Sequence, residues 1–179
     1  GIQTSQQPHS ALNQAPQTPR ADEGWDAVGR PRTQDLLRPH DFRRLLRMCH
    51  NKLHGRGVDS EEEDLTMDMV RIILAKYQDE VHAGEYVDFY CTDNEYGSAT
   101  GREQVAERIQ RLFRDFANDY PSVFGPHERI TVSPSAITEV VAVLQNYTII
   151  TGMQDADGWD VMGSAYEQYT ATHLKRQRG

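Results

Sequence analysis

Apolar residues through the middle of this chain recur three and four positions apart, and that spacing restricts the fold to packed helices. Phe42, Leu45, Leu46, Cys49 and Leu53 form the first stripe. The helix that carries it is expected to open near Pro39, a good first-turn residue, and to stop at Gly55 and Gly57. A second helix is expected from Ser60, where Ser60-Glu61-Glu62-Glu63 has the spacing of a reciprocal cap. Its stretch Met69 to Ala75 is apolar almost all round, which predicts the most buried helix of the set. A third carries Val105, Ile109, Leu112, Phe113, Phe116 and Tyr120, with a predicted cap at Thr100–Glu103 and Pro121 as its stop. A fourth opens at Ser133-Pro134 and buries Ile137, Val141 and Leu144. A fifth follows the turn-rich stretch 155–158 with Met162, Ala165, Tyr166 and Tyr169.

Between the second and third stripes, His82-Ala83-Gly84 breaks the helical period. Residues 86–91 then alternate, with Val87, Phe89 and Cys91 on one side and Tyr86, Asp88 and Tyr90 on the other. Alternation over so short a run predicts a short strand or an extended crossing segment. Short polar loops between helices imply a mostly α fold, a helical bundle of about five helices.

Residues 1–34 are rich in Pro, Gln, Ser and Thr and poor in aliphatics. Such a segment cannot bury enough apolar surface to offset its ordering entropy, so a disordered linker or tail is expected there. It lacks the apolar core and cleavage pattern of a secretory signal. The helical domain is expected over 35–174, with 175–179 beginning a connection. No apolar run approaches the ~20 residues of a membrane span. Two cysteines, Cys49 and Cys91, make no disulfide framework and suit a reducing cytoplasm.

The net charge of −8 is unevenly placed. Residues 35–172 hold 13 basic and 24 acidic side chains, whereas Lys175, Arg176 and Arg178 crowd the end. A free-standing DNA binder has the opposite sign. Any contact with nucleic acid must therefore be local. Arg43, Arg44 and Arg47 line the polar side of the first helix with few acids to oppose them, which makes them the best phosphate contacts. Arg111 lies four residues from both Glu107 and Asp115, so the third helix is expected to pair its own charges.

Enzyme chemistry is hard to find. His50 and His54 are four apart beside Cys49, a spacing that suits a metal, but no second ligand pair at a telling interval follows. Asp155, Asp157 and Asp160 miss the calcium-loop register, and the lone Gly55-Arg56-Gly57 follows a helix, where a phosphate cradle follows a strand. Neither a nucleophile–base grouping nor a glycine-rich loop after a strand is present. Residue patterns alone describe a helical domain without an active site.

The stretch from Asp160 to Gly179 nonetheless resembles the lead-in to the catalytic core of DNA N6-adenine methylases of the type I restriction–modification kind. Asp160, Gly163, Tyr166, Glu167, Lys175 and Gly179 carry the likeness. Phe42, Cys49, His50, Asn51, Leu53, Lys76, Asp79 and Glu80 match the opening helices of the same proteins, and residues 137–149 look like the helix before the Tyr-Glu helix. The likeness covers residues 38–179 and is firmest at its two ends.

That resemblance implies an N-terminal helical region that clamps DNA and contacts a specificity subunit or a second copy of the methylase, with no membrane partner. It implies a parent enzyme using S-adenosyl-L-methionine, with Gly179 as the first residue of the cofactor motif. The Asn-Pro-Pro-aromatic motif and the strand–glycine loop of the family are absent, so no catalytic residue, metal or cofactor is expected in these 179 residues. Arg43, Arg44, Arg47, Lys175, Arg176 and Arg178 are the expected DNA or partner contacts. A non-enzymatic helical adaptor is the alternative, and a metal protein built on Cys49, His50 and His54 a third.

Overall fold

The computed structural model describes residues 28–56, 62–150 and the isolated Glu167. It is a helical bundle. Helix α1 spans Phe42–Arg56, α2 Glu62–His82, α3 Asp93–Tyr96, α4 Ala99–Asn118 and α5 Pro134–Leu144. The long helices form a ring in which α1 packs on α2, α2 on α4, α4 on α5 and α5 back on α1. Their inward stripes meet in one core.

Helix α1 begins three residues later than Pro39 suggests. Asp41 starts it, its carboxylate accepting from the Arg44 amide at 3.0 Å, and an acid at that position also suits the positive helix end. Pro39 is buried instead. The predicted stripe Phe42, Leu45, Leu46, Cys49 and Leu53 is buried throughout. At ~1.5–3 kcal/mol for each large apolar side chain removed from water, this face suffices to hold α1 on its neighbours. The expected cap of α2 at Ser60 lies outside the described residues.

Helix α2 buries Met69, Val70, Arg71, Ile72, Ile73 and Ala75. It is not the most enclosed helix, however. Every residue of α5 from Ala136 to Leu144 is buried, because neighbours cover both its flanks. Ser133 caps α5 by accepting from the Ala136 amide at 3.2 Å, and Pro134 occupies the first turn as expected.

The third predicted helix is α4, but its cap is Ser98, which accepts from the Gly101 amide at 3.0 Å, and Thr100 is already helical. Position 101, inside the helix, has to be glycine, because a Cβ there would collide with the Glu95 backbone of α3. A reciprocal cap does occur, one helix earlier, where Thr92 and Glu95 open α3. Helix α4 ends at Asn118, so Tyr120 leaves the stripe and stays half-exposed while its ring rests on Phe116. The fifth predicted helix lies outside the described residues, and α3 takes its place in the count.

Residues 86–91 cross the bundle without joining a sheet: they bend at Asp88 and Phe89 and make a single antiparallel bridge, between Tyr86 and Arg32. Val87, Phe89 and Cys91 point inward and are fully buried, as the alternation predicts. The opposite side meets residues assigned by composition to the tail. Thr33 and Val87 exchange backbone hydrogen bonds with Glu85 and Pro31, and Arg30 pairs with Asp88 at 2.7 Å. Guanidinium and phenol planes then alternate: Arg32 over Tyr86, Arg30 over Tyr86 and Tyr90, and Arg108 over Tyr90 at 3.9 Å. Residues 28–37 thereby join the bundle, and Leu37 adds a parallel bridge to Tyr147.

Candidate phosphate and subunit contacts

Arg43, Arg44 and Arg47 project from the solvent side of α1, opposite its buried stripe. Positions 43 and 47 lie one turn apart and 44 stands between them, so three guanidinium groups share one surface. Among the described residues none of the three side chains has a hydrogen bond or ion pair. Beside them, α1 and the end of α5 enclose a groove of about 210 Å³. Arg44 and His40 form its rim, and Leu45, Met48, Val143 and Tyr147 its walls. Met48 is 45% exposed and nearby Leu37 54%. A charged rim on an apolar trough suits a macromolecular contact better than a small substrate.

The motif residues of α2 turn inward. The Asp79 carboxylate accepts from the Asp88 and Phe89 amides, both at 3.0 Å, and so fastens the extended crossing segment to the helix. Burial raises its pKa above the ordinary 3.8, against the opposing pull of those two amides. Glu80 accepts from the Thr148 hydroxyl at 2.6 Å and the Ile149 amide at 2.9 Å, fastening the chain after α5. Lys76 is wholly buried between these anchors, its ammonium 3.6 Å from Glu80 and 4.9 Å from the Phe89 ring centre. Burial pushes its pKa below 10.5, with Glu80 and Asp79 pulling the other way. Lys76, Asp79 and Glu80 therefore act as internal ties of the bundle.

A second buried network has no forewarning in the motifs. Asp68 is fully buried and accepts from the Thr131 hydroxyl at 2.6 Å, the Thr131 amide at 2.9 Å and the Val132 amide at 3.1 Å. Arg71 donates to it at 2.8 Å and also to Glu128 at 3.0 Å. The long connection between α4 and α5 is thus held onto α2 by the Asp68 carboxylate and by the Arg71–Glu128 pair. The available signal was two opposite charges three apart inside an otherwise apolar helix, the mark of a buried pair.

The thiols are not reactive groups. Burial pushes the pKa of both Cys49 and Cys91 up to about 12, so neither forms thiolate at neutral pH. Cys49 faces the core while His50 and His54 stack edge to face outside it, ring centres 5.0 Å apart, so the three do not converge on one point. Among the described residues no three His, Cys, Asp or Glu side chains gather as a metal ion requires. A small recess of about 160 Å³ lies over Glu139, which accepts from the Tyr96 hydroxyl at 2.7 Å and faces Lys52 at 3.6 Å. Those partners satisfy the carboxylate.

Asp160, Gly163, Tyr166, Lys175, Arg176, Arg178 and Gly179 lie outside the described residues; Glu167 is helical and exposed. Among the described residues no helix is long and apolar enough to cross a membrane. No protein-family model matches the chain, and no curated protein sequence matches it.

Proposed function

We infer that this chain is the N-terminal helical region of a site-specific DNA adenine N6-methyltransferase of a restriction–modification system, a cytoplasmic arm that holds duplex and a neighbouring subunit. The observation that carries the reading is the order of motif residues along the chain, from Phe42, Cys49, His50 and Asn51 through Lys76, Asp79 and Glu80 to Asp160, Tyr166 and Glu167. Its physical logic is that an adenine must leave the stack before its amino group is reached, so the flanking duplex has to be held. Phosphate contacts set position without reading bases. Arg43, Arg44 and Arg47, without ion pairs among the described residues, have that character, and the overall acidic charge restricts such contact to them and to Lys175, Arg176 and Arg178. In this reading S-adenosyl-L-methionine belongs to the parent enzyme, at a site beginning near Gly179, and the 179 residues bind none of it.

A second reading, a helical protein-interaction adaptor, draws on the groove edged by Met48, Val143 and Tyr147. One experiment separates them. Fluorescence anisotropy with a labelled duplex of about 20 base pairs is expected to show weak binding, with non-specific affinity near 10⁻⁴–10⁻⁶ M. Replacing Arg43, Arg44 and Arg47 together by Ala should weaken it about tenfold with an unchanged melting temperature. Duplex affinity that ignores this triple replacement, or measurable heat on titrating S-adenosyl-L-methionine into the chain, would count against the first reading.

A further inference from the structure

Arg30, Arg71 and Arg108 turn toward the protein and are matched to carboxylates: Asp88 for the first, Asp68 and Glu128 for the second, Glu95 for the third. Arg111, Arg114 and Arg129 are exposed instead. They line one cleft of about 460 Å³ between α4 and the segment that enters α5, and among the described residues none of their side chains has a hydrogen bond or ion pair. Arg111 makes neither of the helical pairs its spacing offers. Glu103 and Glu107 line the same cleft, also exposed and without an ion pair among the described residues.

The charges are sorted along its length. Glu103, Glu107, Arg111 and Arg114 succeed one another at four, four and three residues, so they share one face of α4 over about 16 Å. Acids stand at one end and guanidinium groups at the other. Between them the floor is apolar, made by the buried Ala106, Val132 and Ile137. Arg129 projects from a backbone that cannot drift, because Gln110 accepts from the Ile130 amide at 3.1 Å and donates to its carbonyl at 2.7 Å. The first turn of α5 at Pro134 forms part of the wall and brings the positive end of that helix to the cleft.

We propose that this cleft binds a small phosphate monoester with a hydroxyl-bearing organic part. The phosphate sits among Arg111, Arg114 and Arg129, whose planar forks match its oxygens. The organic body lies on the apolar floor, and its hydroxyls donate to Glu103 and Glu107. The volume falls within the range of small-molecule sites. A continuous nucleic acid strand fits less well, because its next phosphates would run along α4 into the two carboxylates.

The test titrates the whole chain with inorganic phosphate, ribose 5-phosphate and a short duplex, by calorimetry and amide NMR. Saturable binding of ribose 5-phosphate is expected, with inorganic phosphate weaker. Arg111→Gln with Arg129→Gln should lower affinity for both by about tenfold or more at an unchanged melting temperature. Glu107→Gln should weaken ribose 5-phosphate alone. No saturation by either small anion at about 10 mM, a level weaker than any millimolar site, overturns the proposal. So does binding that ignores the arginine pair. Duplex binding that falls in the Arg111→Gln/Arg129→Gln chain and resists competition by ribose 5-phosphate would assign the cleft to a phosphodiester backbone, and that also overturns it.

Discussion

Replacing Asp68 by Ala should be among the most damaging single changes available to this fold. The carboxylate holds four donors at once, at 2.6–3.1 Å, and three of them come from Thr131 and Val132. Removal orphans two backbone amides in a largely dry environment, at ~1–3 kcal/mol each. It also takes Asp68 from the buried Arg71, which keeps Glu128, at part of the ~3–5 kcal/mol that breaking a buried pair costs. Since Arg71 keeps that partner, the two losses overlap, and the expected total is about 4 kcal/mol. For a domain of this size that lowers the melting temperature by about 12 °C. Guanidinium unfolding followed by circular dichroism at pH 7 measures it. Asp68→Asn should recover less than half, because its amide group presents donors to donors. Adding Arg71→Leu to Asp68→Ala should restore part of the loss by removing the buried cation that has lost its Asp68 carboxylate. A penalty for Asp68→Ala below about 1 kcal/mol with an unchanged denaturant slope would refute the claim that this network holds the α4–α5 connection.

Lys76→Met should be neutral or stabilising at pH 7, since apolar replacement of a buried ion pair often is, while Glu80 keeps Thr148 and Ile149. The sign of the pH dependence follows from burial. Between the lowered pKa of folded Lys76 and 10.5 the unfolded chain binds more protons, so wild-type stability should rise with pH and close on the variant; denaturant midpoints at pH 7 and 10 check this. Gly101→Ala should cost about 2 kcal/mol by driving α4 off the Glu95 backbone, read from thermal melts. With pKa values near 12, Cys49 and Cys91 hold about 10⁻⁴ thiolate at pH 8, so disulfide reagents should label the native chain only as fast as it opens.

Local patterns made the helices legible. The stripes on α1, α4 and α5 stand where their periods place them, and Ser133-Pro134 marks a helix start with two independent signals. The failures share a cause. Ser98 and Thr100 are both good caps, and only the approach of Gly101 to Glu95 across the α3–α4 corner decides between them. Helix α3 is a single turn, too short to show a period. Arg30 and Arg32 sit in a stretch whose composition reads as a tail, yet their aromatic partners lie more than 50 residues away. Asp68 likewise meets Thr131 across 63 residues. Candidate site residues follow the same rule. Exposure of Arg43, Arg44 and Arg47 could be read from the helical face opposite the apolar stripe, whereas the internal role of Lys76, Asp79 and Glu80 depends on what crosses α2.

The salt dependence of duplex binding addresses the functional account most directly. If three arginine side chains on α1 meet backbone phosphates, log affinity should fall linearly with log salt concentration at a slope near −3, the same for unrelated duplex sequences, and the slope should collapse in the Arg43→Ala/Arg44→Ala/Arg47→Ala chain. Binding that distinguishes sequences, or a slope untouched by removing those three guanidinium groups, would contradict it.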